Sequence, residues 1–149
     1  MRVVLQLVNN CNVDINDKTA ASIKKGFLLL LGVKNGDTEA DAIKLARKIS
    51  GLRIFTDEND KMNLSLSDVG GTVIVVSNFT LYADCSHGRR PSFINAARPE
   101  ISEPLYEFFC DEMRENGVEV QTGEFGADMQ VNLCNDGPVT LVIDSEDLK

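Results

Sequence analysis

The chain has 149 residues, 43% of them hydrophobic, and a formal net charge of −8. Its length and apolar fraction suit one ordinary domain with a real core, so residues 1–149 are expected to form a single domain. The negative balance disfavours broad, non-specific adhesion to nucleic acid while leaving room for a local basic patch.

No apolar run approaches the roughly 18 residues needed to span a bilayer. The longest, Phe27-Leu28-Leu29-Leu30-Leu31, is strand-sized and bounded by Gly26 and Gly32. Met1-Arg2 leads directly into strand-like sequence, without the apolar segment and small-residue cleavage site of a secretion signal, so a cytoplasmic location is expected. The four cysteines, Cys11, Cys85, Cys110 and Cys134, stand singly, and one histidine cannot complete a usual zinc set with them. They read as reduced packing residues, with only Cys85 near a suspected site. No metal or cofactor is expected.

Residues 2–8 read as a first strand, with Val3, Leu5 and Leu7 on one face. Residues 12–15 and 19–23 flank Asn16-Asp17-Lys18, a turn-forming cluster, which predicts a hairpin. A strand over residues 27–33 follows. Four short strands joined by tight turns point to an antiparallel sheet. Thr38, with Asp41 three residues on, predicts a capped helix that Ser50-Gly51 ends, with Ala42, Ile43, Ala46 and Ile49 on its apolar face. Arg53-Ile54-Phe55 reads as a short strand, residues 57–61 as an exposed turn, and residues 62–66 as a return to the core.

After Gly70-Gly71, the β-branched run 72–76 has the pattern of a strand buried on both faces. Ser77-Asn78-Phe79-Thr80 then offers hydroxyls, an amide and an aromatic where such a strand would emerge, a favoured place for a site. A basic loop, His87-Gly88-Arg89-Arg90, lies just beyond, and Pro91-Ser92-Phe93 is expected to lead into a short helical piece. Ser102-Glu103-Pro104 is expected to open a second long helix with Leu105, Phe108, Phe109 and Met113 on its buried face, ended by Asn116-Gly117. Residues 118–122, 129–134 and 139–144 supply three further strands. The fold class is therefore α+β: a predominantly antiparallel, barrel-like sheet with two main helices packed on it.

A second polar interruption, Asn135-Asp136-Gly137-Pro138-Val139-Thr140, falls between the last two strands. Proline cannot donate to a ladder and belongs at an edge or a strand start. Side-chain hydrolysis would need a nucleophile and a base. The candidates, Ser77, Thr80, Cys85 and His87, lack any Gly-x-Ser-x-Gly elbow, and the acids of residues 57–60 lack the spacing of a calcium loop. The residues alone give two polar interruptions and no self-sufficient catalytic set.

Ser77-Asn78-Phe79-Thr80-Leu81, Gly88-Arg89-Arg90-Pro91-Ser92-Phe93, Phe125-Gly126-Ala127-Asp128-Met129 and Asn135-Asp136-Gly137-Pro138-Val139-Thr140 together resemble, in order, the hallmark segments of the D-aminoacyl-tRNA deacylases. The resemblance runs essentially end to end. It implies a carboxylic ester hydrolase that releases D-amino acids from tRNA and clears glycine mischarged on the alanine tRNA. It also implies a homodimer in which Gly137-Pro138, joined by a cis bond, enters the partner copy's site and excludes L-side chains through its carbonyls. Catalysis would be assisted by the tRNA ribose hydroxyl, with Ser77, Asn78, Phe79 and Thr80 forming the catalytic segment and main-chain N–H groups around Phe79 and Thr80 stabilising the oxyanion. Thr80 as a covalent nucleophile ranks second. Gln6, Met129 and Asn135 would support the site, and Arg89 and Arg90 would meet phosphate at the tRNA acceptor end. No DNA or membrane partner is expected.

Two departures fall at the implied site. The family usually has arginine after the Gln6 position, where this chain has Leu7, and glutamine where this chain has Asn78. The alternatives are a related deacylase with a relaxed filter acting on small L-aminoacyl-tRNAs, a non-catalytic module binding the tRNA end or DNA, and an esterase using a protein nucleophile.

Overall fold

The computed structural model describes residues Met1–Lys149. Its organising element is β1 (Arg2–Ile15), which turns through Asn16 and Asp17, both at positive φ, into β2 (Lys18–Ile23). Along one edge β1 pairs antiparallel with β3 (Gly26–Gly32) and then β2; along the other it pairs antiparallel with β8 (Gln130–Asp144). Beyond β3 the sheet continues in parallel through β6 (Thr72–Ser77) to β7 (Glu119–Thr122). It curls until the Ser22 N–H of β2 donates to the Gln121 side chain of β7 at 2.9 Å. The architecture is the expected α+β one, with a nearly closed, barrel-like sheet.

Helix α1 (Glu39–Ser50) and helix α3 (Pro99–Glu115) cover one face of the sheet. α1 begins in the expected capping box of Thr38 and Asp41 and buries Ala42, Leu45, Ala46 and Ile49, Leu45 taking the place expected of Ile43. Between helices and sheet lies a 23-residue core that includes Val3, Leu5, Leu7, Leu29, Leu31, Val73, Val75, Phe109 and Met113. An eight-residue cluster, among them Val8, Leu28, Ile74 and Val76, lines the concave side. β6 is thus buried on both faces, as its β-branched run dictates.

Several boundaries differ from expectation. The first two expected strands are one strand, because Asn10 and Cys11 stay in the β8 ladder past a register shift between Val8 and Asn10. The strand expected at Arg53-Ile54-Phe55 is only β4 (Phe55–Thr56), paired with β5 (Met62–Leu64). Ser65 caps an unforeseen short helix, α2 (Leu66–Val69), in a capping box with Asp68. The helical piece expected after Pro91-Ser92-Phe93 does not form: residues 91–98 make turns and isolated bridges. α3 opens at Pro99, where a missing N–H costs nothing, and the exposed Pro104 lies inside it. The last two expected strands are one strand with an excursion. Cys11 and Cys110 are buried, burial pushing their thiols up to about 11 and about 12, whereas Cys85 and Cys134 are exposed and free, contrary to the packing role expected of all four. No helix is long and apolar enough to cross a membrane.

One buried polar cluster ties β1 to the start of α1. The Met1 ammonium donates to Asp37 Oδ1 at 2.7 Å and to Ser145 Oγ at 3.0 Å, and the Ser145 hydroxyl donates to Asp41 Oδ1 at 2.8 Å. The Met1 and Asp37 side chains are 0% and 3% exposed, so the pair is held away from water. Removing one partner leaves the other charge unpaired, at a cost of about 3–5 kcal/mol. Asp37→Ala is expected to lower unfolding stability by about that amount, read as a drop in urea midpoint at unchanged m-value.

Candidate active site

The β3–β6 ladder ends at Leu31↔Ser77, and the Asn78 N–H still donates to Leu31 O at 2.8 Å. There the chain leaves the sheet in a 3-10 turn, Phe79–Tyr82, capped by Asn78. Gly32 permits the tight junction: a Cβ there would lie 3.1 Å from Leu81 Cβ and 3.2 Å from Asn78 O. The Asn78 carboxamide oxygen accepts from the Thr80 N–H at 3.2 Å and from the Thr80 hydroxyl. The Phe79 N–H, one residue earlier, has no hydrogen-bond partner. It is a first-turn donor of the kind that helix starts leave free.

This turn forms the mouth of a cleft of about 920 Å³ in the concave face of the sheet. Ser77, Asn78, Phe79, Thr80, Gln6 and Met129 all line it, so the structure brings together six residues that sequence singles out in two distant segments and at one strand. Gln6 also reaches its cross-strand neighbour Thr140, Nε2 donating to Oγ1 at 3.4 Å. Phe93, Pro99 and Phe125 complete the wall. Sequence reading left these three out of the site, although Phe93 and Phe125 sit in segments that carry the family resemblance. Phe93 meets Phe79 edge-on with ring centroids 5.1 Å apart, and both rings are partly exposed. Asp128 is the one ionisable group among the lining residues, which include no histidine, cysteine, lysine or arginine.

The basic loop stands outside the cleft. Asp84 and Ser92 close it with reciprocal main-chain bonds of 2.7 and 2.9 Å, leaving Arg89 and Arg90 exposed between them. Hydrogen bonds from Ser86, side chain first and main chain next, hold the Asp84 carboxyl below the usual carboxylate range. His87 pairs with Ser86 Oγ at 2.7 Å and does not line the cleft.

Gly137 and Pro138 do not line their own chain's cleft either. Pairing of β1 with β8 jumps from Gln6↔Thr140 to Val8↔Asn135, so residues 136–139 loop out opposite the single residue Leu7. Gly137 has φ 120, a conformation open to glycine but not to L-side chains, and its bond to Pro138 is cis. Both residues are exposed at the tip. Asn135 staples the base of the excursion: its Nδ2 donates to Leu7 O at 2.9 Å and to Val139 O at 3.0 Å. Leu7 therefore contributes its carbonyl to the loop while its side chain, 6% exposed, belongs to the main core.

The cleft is apolar, has a free main-chain donor at its mouth, and lacks the paired nucleophile and base of a triad hydrolase. The family model for D-Tyr-tRNA(Tyr) deacylase matches residues 4–144. The chain is 56% identical over 147 residues to the D-aminoacyl-tRNA deacylase of Thermosipho melanesiensis, covering 98% of each chain. It is 54% identical over 145 residues to that of Clostridioides difficile, covering 97% of each. Among solved structures, one described as c-Myc DNA Unwinding Element Binding Protein superposes with a TM-score of 0.89 at 34% identity, covering 97% of this chain and 98% of that one. A probable eukaryotic D-amino acid tRNA deacylase shares the fold at a TM-score of 0.80 and 20% identity, covering 96% of this chain and 98% of its own. The chain belongs to the D-Tyr-tRNA(Tyr) deacylase family.

Replacing Asn135 would strip two main-chain carbonyls of their donor, each bond being worth about 1 kcal/mol. Asn135→Ala is expected to destabilise the fold by about 2 kcal/mol in denaturant titration. Hydrogen exchange should quicken at residues 136–140 before it does so elsewhere in β8.

Proposed function

We propose that the protein hydrolyses the ester joining a D-amino acid to the terminal adenosine of tRNA, and that it also clears glycine mischarged on the alanine tRNA. The observation that carries this reading is the unpartnered Phe79 N–H at the mouth of a cleft that holds no paired nucleophile and base, Asp128 being its one ionisable group. Water adds to the ester carbonyl, the carbonyl oxygen becomes an oxyanion, and the C–O bond to the ribose breaks. The neighbouring ribose hydroxyl relays the proton from water to the leaving ribose oxygen. No covalent enzyme intermediate forms. Phe79 N–H donates to the oxyanion, while Ser77 and Asn78 hold the turn that aims it.

Thr80 N–H is already engaged by Asn78, which leaves Phe79 as the principal donor. Asn78 thus serves as the cap of its own turn, and Gln6 and Met129 shape the wall. Chirality is read by exclusion. Gly137 and Pro138 of a second copy enter this cleft, and their main chain fills the space an L-side chain needs; glycine has nothing to be rejected, so it passes. That the two residues are exposed, project from β8 and leave their own cleft alone supports delivery to a homodimeric partner. Arg89 and Arg90 meet phosphates near the acceptor end.

One relative favours a second reading, in which the chain binds DNA: the structure at 34% identity described as a DNA-unwinding-element binding protein. Turnover separates the two. The chain should release D-tyrosine from D-tyrosyl-tRNA at least 100-fold faster than L-tyrosine from its L-counterpart; equal or absent release overturns the editing reading.

The main-chain donor can be tested separately. Phe79→Pro removes the N–H at a first-turn position that accepts proline, whereas Phe79→Ala keeps it. The proline variant is expected to lose about 10²–10³ in kcat relative to the alanine variant, the usual cost of one oxyanion donor. Thr80→Ala should retain kcat within about tenfold. Loss of all turnover in Thr80→Ala would instead assign the threonine as nucleophile.

A further inference from the structure

A recess of about 440 Å³ lies at the far end of α1, lined by Lys44, Arg47, Lys48, Gly51, Leu52, Arg53, Leu148 and Lys149. Five of these eight residues have cationic side chains and none has an acidic one. The whole chain has 15 lysines and arginines against 23 acids, so a third of its positive charge converges on one hollow of an acidic molecule. Lys44, Arg47, Lys48 and Lys149 form no ion pair and no side-chain hydrogen bond. Arg53 donates only to Asn63, a neutral partner.

Cations near a helix C-terminus favour the helix dipole, and that accounts for Arg47 and Lys48. It does not account for Arg53 beyond the helix, or for Lys149, which arrives from the other end of the sequence to face the same hollow. Like side-chain charges brought together repel, and such a cluster is the electrostatic footprint of an anionic partner.

The cleft sharpens the need for one. Its lining holds no lysine or arginine and one carboxylate, Asp128, so it offers no cation to a phosphate. A chain of net charge −8 acting on a polyanion must meet the backbone elsewhere. The recess shares no lining residue with the cleft: Lys34, five residues before α1, is bridged to Ala96 of the cleft lining, whereas the recess lies at the exit of α1, about 18 Å along its twelve residues. The recess presents long side chains and no cradle of main-chain N–H groups, which suits the phosphodiester backbone of a nucleic acid better than a single tightly held phosphate.

We propose that Lys44, Arg47, Lys48, Arg53 and Lys149 form a second docking patch for the phosphate backbone of the tRNA substrate, away from its acylated end. The patch rests on the deacylase reading for the identity of its RNA and on charge alone for its existence. It positions substrate without specifying sequence, and it acts on binding and not on the chemical step.

The test is binding of uncharged tRNA, titrated between 50 and 200 mM salt, to the wild type, to K44Q/R47Q/K48Q and to a control, K18Q/K24Q/K61Q. The control removes the same charge from exposed lysines outside the recess. Each phosphate contact contributes about 0.9 to the slope of log affinity against log salt for a duplex. The recess variant should bind at least tenfold more weakly at 50 mM salt, with a slope smaller by about 2–3, and the control should change less than threefold. With D-tyrosyl-tRNA the recess variant should raise KM and keep kcat.

Equal loss in recess variant and control, or no change in slope, overturns the proposal. So does an equal loss of affinity for a short single-stranded oligonucleotide ending in CCA, because the cations would then act at the acceptor end. Binding is read without turnover, so failure of the wild type to cleave D-tyrosyl-tRNA would sink the deacylase reading and leave the docking result to stand or fall by itself.

Discussion

The site depends on β1 being hydrogen-bonded along both edges. β3 on one side carries the ladder outward to β6, whose end delivers Ser77 and the 3-10 turn. β8 on the other side must break register opposite Leu7, and that break extrudes Gly137 and Pro138. One strand therefore fixes both polar interruptions, which are about 60 residues apart in sequence. Because the core-facing residues of β1 are essentially inaccessible to water, neither can shift without disturbing the packing under α1 and α3.

The cleft is poor in the side chains that usually perform hydrolysis, and this makes the rest of the molecule intelligible. On the proposed reading the substrate's own hydroxyl takes the place of a protein base, and the protein's share becomes geometry and a fixed dipole. A main-chain donor is rigid, carries no titration of its own and is held by the same ladder that builds the sheet. Asn78 sharpens the arrangement by occupying the Thr80 N–H and leaving that of Phe79. On the proposed reading, cations in the cleft would hold phosphate where the ester belongs, and positive charge on an exposed loop and at the far end of α1 avoids that conflict.

Much of this was legible from sequence. The β-branched run 72–76 could only be an interior strand, and the abrupt change at Ser77 marked its emergence. The Thr38 and Asp41 pair announced α1. Other features were not legible, each for a physical reason. Parallel pairing of β6 with β3 and β7 follows from tertiary packing, since buried runs read alike in parallel and antiparallel sheets. The continuity of β8 through a Gly-Pro pair escaped because turn residues inside a bulge look the same as turn residues between strands. The aromatic wall of Phe93 and Phe125 comes from loops whose path local sequence does not determine. The basic recess was hidden because Lys149 and Arg53 are nearly 100 residues apart and meet only in the fold.

That the substrate's own hydroxyl does the work a protein base does elsewhere can be tested by single-turnover cleavage of D-tyrosyl-tRNA whose terminal adenosine lacks the 2′-hydroxyl, compared with the same ester on the natural ribose. A loss of at least 100-fold in the chemical step, with binding preserved, is the expected result; equal rates on the two substrates would contradict substrate assistance.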